Sequence, residues 1–264
     1  MTDQEVASDV ISVARTVPSQ PTNVELLRPE REPPIRVQSR AEFAGKRAFD
    51  IIVGSVMVIL LSPVFLVIAV AILLAEGRPV FYRQQRVGRY GKAFTMLKFR
   101  SMVTDAHDRL DDLQGDNERT GPLFKIHRDP RVTRVGRFLR ATSLDELPQF
   151  FNVLGGSMSL VGPRPALFEE RASFPPELLE REVLRPGLTG LWQVEARSDP
   201  DFDRYHQLDL DYVEHRTLWL DVKILVRTPF VVIRDAFAHA RGRTKIETDV
   251  VPVMALVEAP SQEH

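Results

Sequence analysis

The chain has 264 residues, 44% of them apolar, with a formal net charge of -1 and no cysteine. This length and apolar content suffice for one sizeable core, which excludes a wholly disordered protein. The lack of cysteine excludes disulfides, thiol catalysis and cysteine-ligated zinc or iron-sulfur sites. Charge is unevenly distributed: residues 78–104 hold seven Lys or Arg and no acid, whereas residues 105–118 hold six acids and one Arg.

The first 42 residues are polar, rich in proline near their end and without an apolar run near the start. They show little helical or strand periodicity, so the sequence predicts a disordered arm over residues 1–42 without a secretory signal. Similar reasoning predicts a disordered tail over residues 243–264.

Residues 51–75 carry no charge, which is typical of a membrane segment. Pro63, preceded by Ser62, cannot donate to the Ile59 carbonyl, so we expect a sharp break there. Each half then reaches only ~16–18 Å, about half of a ~30 Å hydrocarbon core. Basic residues, which mark the cytoplasmic side, flank both ends: Arg40, Lys46, Arg47, Arg78, Arg83, Arg86, Arg89 and Lys92. The pattern favours a re-entrant hairpin in one leaflet; a kinked single span and a buried helix of a soluble protein are the alternatives.

Two β-prone runs, residues 80–85 and 93–100, flank a glycine-containing loop and predict a β-hairpin. Its basic residues, Lys98 and Arg100 among them, suit a phosphate cradle, a face against anionic lipid headgroups or a plain solvated surface. The acidic residues 105–118 that follow predict an exposed helix.

The motif SLDE has the spacing of a capping box. Ser143 and Glu146 predict a helix that begins at Ser143 with Asp145 in its first turn, where free amides favour ionised carboxylates and attract anions. Pro148 predicts a kink in that turn, and Gly155-Gly156 predicts its end. A plain capped helix followed by a proline loop is the alternative.

Arginines flank this carboxylate pair in the sequence, with Arg140 before it and Arg164 in the proline-rich turn after it. Guanidinium groups bind phosphate oxygens and a hard cation prefers carboxylate oxygens, so the pattern indicates a phosphate-bearing substrate and a divalent metal. Nucleic acid is not expected as a partner, because no recognition module or basic-aromatic array is present. The six histidines lack an HExxH arrangement, so zinc is not expected either.

Two further segments complete the pattern. Residues 199–214 hold six acids and predict a solvated surface. Residues 217–238 are apolar but interrupted by charges, too many to cross a bilayer. They predict either a helix in the headgroup layer, broken near Pro229, or ordinary core packing.

Several motifs in fixed order resemble the bacterial sugar transferase family, the monotopic polyprenyl-phosphate phosphoglycosyl transferases. They are KRAFD, the apolar segment with its central Ser62-Pro63, KFRSM, LRATSLDELPQ, SLVGPRP and RPGLTGLWQV. The resemblance implies an α+β, mainly α fold: a re-entrant membrane helix-hairpin over residues 51–75, a cytosolic helical domain with a small β-hairpin, and interfacial amphipathic helices. It implies a catalytic domain over residues 43–242. Long members carry extra transmembrane helices and a further domain before this region, so we expect the catalytic core alone.

The resemblance also implies a Mg²⁺-dependent enzyme on the cytoplasmic face of the bacterial inner membrane. It would move a sugar-1-phosphate from a UDP-sugar to undecaprenyl phosphate and release UMP, as the first membrane step of exopolysaccharide or other glycoconjugate synthesis. By this likeness Asp145 is the nucleophile that forms a phosphosugar-aspartyl intermediate, and Glu146 shares the metal with it or handles protons. The phosphate-binding candidates are Lys98, Arg100, Arg140 and Arg164.

The motif LWQV and the residues after it look more like members that use UDP-glucose or UDP-galactose. Two other functions stay open at this point. One is a membrane-associated glycosyltransferase that releases UDP, although its usual strand-helix alternation with a DxD pair is hard to find here. The other is a non-catalytic membrane adaptor, which would tolerate Asp145→Glu. Inner-membrane lipids are expected partners in each case, and self-association into a homo-oligomer is compatible with each.

Overall fold

The computed structural model describes residues 40–240, apart from residues 107, 110, 119, 124, 125, 127 and 198. The predicted tail, residues 243–264, and nearly all of the predicted arm, residues 1–39, lie outside the described residues.

Helix α1 (Arg40–Glu76) carries the apolar segment, and its most apolar window has a mean hydropathy of 3.1. It is long and apolar enough to cross or enter a membrane. The expected break does not end the helix, which continues through Pro63. The Ser62 hydroxyl donates to the Ile59 carbonyl at 2.8 Å, so the acceptor that loses its amide donor to Pro63 is still hydrogen-bonded.

Both ends of α1 are tied to the rest of the protein by charged side chains. Near its start, Lys46 Nζ lies 3.1 Å from Asp221 Oδ2. At its end, Arg100 donates to the carbonyls of Glu76 and Gly77, each at 2.8 Å. The two ends of the helix therefore contact one globular body.

Strands β1 (Phe81–Val87) and β2 (Ala93–Phe99) form the predicted antiparallel hairpin, with Phe81 opposite Phe99. A short 3-10 turn, Arg89–Gly91, closes it, and Tyr90 adopts a left-handed φ of 58° there.

The acidic segment after the hairpin is not the predicted exposed helix. Its described residues form turns and one short 3-10 helix, Asp111–Asp116. The segment has no continuous apolar stripe to bury, and its clustered negative charges repel, so little stabilises a longer helix.

The remaining elements include a parallel strand pair, β3 and β4. In chain order they are α2 (Arg134–Ala141), α3 (Gln149–Gly155), β3 (Ser159–Val161), α4 (Phe168–Ala172), β4 (Gly187–Thr189), α5 (Leu191–Glu195), α6 (Phe202–His215) and α7 (Leu218–Ala240). Helix α3 ends as predicted, at Gly156 with a left-handed φ of 83°. At the strand pair, a Cβ on Gly187 would lie 2.1 Å from the Gly162 amide nitrogen, so only glycine permits this approach.

Two groups of buried apolar side chains form the interior. The larger joins α3, β3 and α5–α7 and includes Val153, Leu160, Leu178, Leu191, Tyr205, Leu208, Tyr212, Leu220 and Ile224. The smaller consists of Ile68 and Ile72 of α1 with Phe99 and Leu139. Through it, the second half of α1 packs against the hairpin and α2.

Helices α6 and α7 correct two predictions. The acidic residues of α6 are not all solvated, because Asp209 is only 1% exposed and its Oδ2 lies 2.6 Å from Arg181 Nη1. Helix α7 is unbroken at Pro229, since its packing on both sides of the proline outweighs one lost hydrogen bond. One face of α7 lies in the core. Other positions of the helix carry large apolar side chains that are exposed: Leu218, Trp219, Val226, Phe230, Ile233 and Phe237.

Candidate active site

The predicted carboxylate pair lies on a tight turn between α2 and α3. This 3-10 turn, Leu144–Glu146, places Asp145 at 7% exposure. The flanking Leu144 and Leu147 pack on the smaller apolar group, which includes Ile68 and Ile72 of α1. The turn that carries the carboxylates therefore packs on the same apolar group as the second half of α1.

The predicted capping box is wrong. Ser143 has a left-handed φ of 56°, and its side chain makes no capping hydrogen bond. Instead its hydroxyl accepts from Arg197 Nη2 at 2.9 Å, while Glu146 accepts from Lys98. Pro148 has no amide to donate to the Leu144 carbonyl, so the α-helix begins only after it.

Lys98 of β2, a predicted phosphate-binding residue, contacts both acids. Its Nζ lies 2.8 Å from Glu146 Oε1 and 3.9 Å from Asp145 Oδ2. One ammonium thus bridges the two carboxylates and offsets part of their mutual repulsion.

The pKa values of the two acids are shifted in opposite directions. Burial raises the pKa of Asp145 above its usual range, although the Lys98 charge partly opposes the rise. Burial would also raise the pKa of Glu146, but Lys98 and then Arg197 outweigh it and hold that pKa well below its usual range. Asp145 is therefore the more basic carboxylate of the pair, and Glu146 stays ionised to lower pH.

Arg140 and Arg164 lie on opposite sides of the pair in sequence, and both influence it. Arg140 is exposed at the end of α2, and its charge lowers the pKa of Asp145. Arg164 has a 25% exposed side chain, and its charge lowers the pKa of Glu146. Both predicted phosphate-binding residues thus keep a guanidinium near the carboxylates.

A buried acid holds Arg164 in place. Glu170 accepts from Arg164 Nη1 at 3.0 Å and from Nη2 at 3.2 Å, a bidentate pair. Arg86 Nη1 lies 3.7 Å from the same carboxylate and donates to the Pro165 carbonyl. The Arg164 carbonyl accepts a hydrogen bond from Arg181. Glu170 therefore holds the guanidinium itself, while Arg86 and Arg181 position the carboxylate and the backbone around it.

Arg100, the remaining predicted phosphate-binding residue, is buried and donates to the carbonyls of Glu76, the last residue of α1, and Gly77. A cation at this position suits the negative end of a helix. Its phosphate role stays a prediction.

Sequence reasoning missed Arg197, which follows α5. It donates to Ser143 and lowers the pKa of both Asp145 and Glu146. No local pattern marks a single arginine in a loop, so only the fold reveals it. Glu170 was missed for the same reason.

The same pair is the predicted metal site. In the described part of the chain, no three His, Asp or Glu side chains form a cluster that could hold a metal ion. Mg²⁺ commonly takes one or two carboxylates and completes its shell with substrate phosphates and water. Asp145 and Glu146 fit this kind of site, with two adjacent hard oxygen donors.

Comparison with known proteins agrees with the resemblance noted in the sequence. The family model described as bacterial sugar transferase matches residues 41–235. The undecaprenyl-phosphate galactose phosphotransferase of Salmonella typhimurium is 44% identical over 193 residues, 72% of this chain and 40% of that protein. The UDP-glucose:undecaprenyl-phosphate glucose-1-phosphate transferase of Escherichia coli is 40% identical over 194 residues, 70% of this chain and 39% of that protein.

The exopolysaccharide production protein ExoY of Rhizobium meliloti is 39% identical over 188 residues, 70% of this chain and 83% of that protein. The chain spans well under half the length of the Salmonella and Escherichia relatives and most of the length of ExoY. Since the family match covers most of the chain in one continuous stretch, this protein belongs to the bacterial sugar transferase family.

Proposed function

We propose that this protein transfers a hexose-1-phosphate from UDP-glucose or UDP-galactose to undecaprenyl phosphate and releases UMP. One observation carries the proposal: two acids with opposite pKa shifts lie among cations, on a turn whose leucines pack on the apolar group that includes Ile68 and Ile72 of α1. Relatives named for glucose and galactose transfer to this lipid support the substrates, and ExoY supports a role in exopolysaccharide synthesis.

The chemistry is a double displacement. A carboxylate oxygen of Asp145 attacks the phosphorus that bears the sugar, the bond to the bridging oxygen breaks, and UMP leaves with that oxygen. An oxygen of undecaprenyl phosphate then attacks the same phosphorus, which frees Asp145 and yields the lipid-linked diphosphate sugar. The two steps let a soluble donor and a membrane-bound acceptor use one nucleophile in turn.

The surrounding charges match this chemistry. An anionic nucleophile is repelled by a diphosphate, so cations must screen the phosphates and stabilise the transition state. Lys98, Arg140, Arg164 and Arg197 supply that charge, while Glu146 keeps Lys98 and Arg197 directed towards the pair. Asp145 and Glu146 would hold Mg²⁺, which would neutralise further phosphate charge when bound.

The attachment of α1 supports a re-entrant arrangement. A straight helix of this length reaches roughly 55 Å, well beyond a ~30 Å hydrocarbon core. Yet Lys46 near its start and Glu76 at its end both contact charged residues of one globular body. Since such a body cannot lie on both sides of a bilayer, we infer that α1 enters and leaves on one side. The basic flanks favour the cytoplasm as this side.

The exposed apolar side chains of α7 support its placement at the same membrane surface. Phe230 and Phe237 project away from the core, and Lys223 Nζ lies 5.5 Å from the centre of the Trp219 ring. An apolar face with a Trp and cations at its edge suits the headgroup layer. The site, α1 and α7 then face the leaflet that holds the acceptor.

The test measures the released nucleotide. Membranes that contain the protein are incubated with each UDP-hexose and undecaprenyl phosphate, and we expect UMP and lipid-linked sugar phosphate. With donor alone, mass spectrometry should find a hexose-phosphate adduct on the Asp145 peptide. Asp145→Asn and Asp145→Glu should both abolish turnover, whereas Asp203→Asn, an exposed acid on α6, should not. Release of UDP, or activity of Asp145→Glu, would contradict the proposal.

The topology has its own test. The chain has no cysteine, so single cysteines introduced as Ala41→Cys and Lys92→Cys are the sole thiols. In right-side-out vesicles, both should resist an impermeant maleimide until the membrane is opened. Labelling of only one from outside would indicate a full span.

A further inference from the structure

A second group of cations lies away from the carboxylate pair, around the Phe43 ring at the start of α1. The Arg89 guanidinium lies 4.5 Å from the centre of this ring, and the Arg185 guanidinium lies 4.8 Å from it. Arg47 belongs to the same group. Burial is the main cause that lowers the pKa of Arg185, and the positive charges of Arg89 and Arg47 lower it further. Three guanidinium groups from α1, the hairpin tip and the loop before β4 therefore converge; we call Arg47, Arg89 and Arg185 the arginine cluster.

Backbone carbonyls hold the arginine cluster in place. Arg47 donates to the carbonyls of Val153 and Leu154 at 2.6 and 2.7 Å. Arg185 Nε donates to the Gly156 carbonyl at 2.8 Å, and Arg89 Nε donates to the Val183 carbonyl at 2.8 Å. These bonds position the side chains but leave the terminal nitrogens of Arg89 and Arg185 with further donor capacity.

Formal charge in the cluster is only partly balanced, because the Asp50 carboxylate, whose charge raises the pKa of Arg185, is already paired with Lys46. Among the residues that the structure describes, no carboxylate forms an ion pair with Arg47, Arg89 or Arg185. Like charges held together without an acid cost free energy unless an anion joins them. Elsewhere in the described fold the buried arginines do have acids, as Arg86 and Arg164 share Glu170.

The position relative to α1 indicates which anion is available. Arg47 lies one turn before Ile51, where the uncharged stretch begins, a distance of ~6 Å along the helix. This matches the headgroup layer, which adds about 5–8 Å to the hydrocarbon on each side. Exposed Tyr90 and Lys92 at the hairpin tip flank the cluster, and a tyrosine beside cations is typical of that layer.

We propose that the arginine cluster binds the phosphate of an anionic phospholipid headgroup, at a site separate from the carboxylate pair. The site would hold a phosphodiester against Arg89 and Arg185, next to the point where α1 enters the membrane. The bound headgroup would fix the depth and the orientation at which α1 enters the membrane. The proposal requires membrane contact by α1 but not the proposed sugar-phosphate transfer.

The test is lipid retention rather than activity. The full-length protein is placed in nanodiscs of equal parts phosphatidylcholine and phosphatidylglycerol. Native mass spectrometry releases the protein from the nanodisc in the gas phase and counts the lipids that stay bound to it. We expect preferential retention of phosphatidylglycerol by the wild type. Arg89→Gln should weaken it about fivefold, the value of roughly one charge near an anionic surface, and Arg89→Lys should restore most of it.

Arg83→Gln is the matched control, because it removes one exposed charge from the same hairpin. It should retain phosphatidylglycerol as the wild type does. A competition with inorganic phosphate separates a lipid site from a site for soluble phosphate. Equal retention by Arg89→Gln and wild type would overturn the proposal, and so would displacement of the lipid by inorganic phosphate at millimolar concentration. Loss of lipid by Arg83→Gln to the same extent would overturn it as well, by showing a diffuse charge effect.

Discussion

Glu170→Gln tests the contacts that position Arg164. Glu170 is 4% exposed and serves two cations, with Arg164 nitrogens at 3.0 and 3.2 Å and Arg86 Nη1 at 3.7 Å. The substitution keeps the shape but removes the charge, so both guanidinium groups lose their counter-ion. Breaking a buried ion pair costs about 3–5 kcal/mol, and we expect about 3 kcal/mol because Arg164 keeps some solvent contact. For a chain of this size that corresponds to a fall in Tm of roughly 6–12 °C.

The assay compares thermal unfolding of the purified protein in nanodiscs with that of Glu169→Gln, the same change at the exposed neighbouring position of α4. Burial raises the pKa of Glu170, but Arg164 outweighs it and leaves that pKa below its usual range. A carboxyl with a depressed pKa stabilises the fold above its unfolded pKa, about 4.3, and loses that effect as the pH falls further. The gap between wild type and Glu170→Gln should therefore be full at pH 7 and shrink below about pH 4.

The same variant should raise the KM for the UDP-hexose, because Arg164 is no longer held for the donor phosphates. If Glu170→Gln unfolds at the same temperature as Glu169→Gln at pH 7, Glu170 does not stabilise these arginines and the reasoning fails.

Lys98→Gln removes a charge that lowers the pKa of Asp145, so this pKa should rise further. The acid limb of the pH profile for UMP release should then move to higher pH, and an unmoved limb would contradict this role of Lys98. Arg197→Gln should lower kcat/KM about 10–100-fold, the value of one charged hydrogen bond, with little change in Tm, and a loss seen only in Tm would indicate a structural role. Gly136→Ala would put a Cβ 2.0 Å from the Ser101 carbonyl oxygen and should destabilise the fold by about 1–3 kcal/mol, whereas Gly155→Ala, which meets open space, should not; equal Tm values would refute the clash.

Local patterns in the sequence were informative where they depend on neighbouring residues only. The hairpin followed from alternating β-prone runs around a glycine loop, and the end of α3 followed from its glycine pair. The family resemblance predicted Asp145 and Glu146 as site residues, and the fold brings both together with Lys98.

The errors arose where distant residues decide the local conformation. Ser143 has the right spacing for a capping box, but Arg197 takes its hydroxyl and Lys98 takes the Glu146 carboxylate. The sequence predicted Asp209 as a solvated surface acid, but in α6 it is paired with Arg181. The sequence predicted a break near Pro229, yet packing of α7 on both sides of this proline keeps the helix continuous.

The sequence by itself determined an apolar helix long enough to enter a membrane, with basic flanks, a basic hairpin and an acidic pair among arginines, because hydrophobic length, charge and spacing are properties of short stretches. Only the tertiary structure decided which cation serves which acid. It assigned Lys98 to the carboxylate pair, Arg164 to Glu170 and Arg100 to the end of α1. The physical reason is that electrostatic interactions fall off with distance in space, and no pattern along the chain encodes that distance.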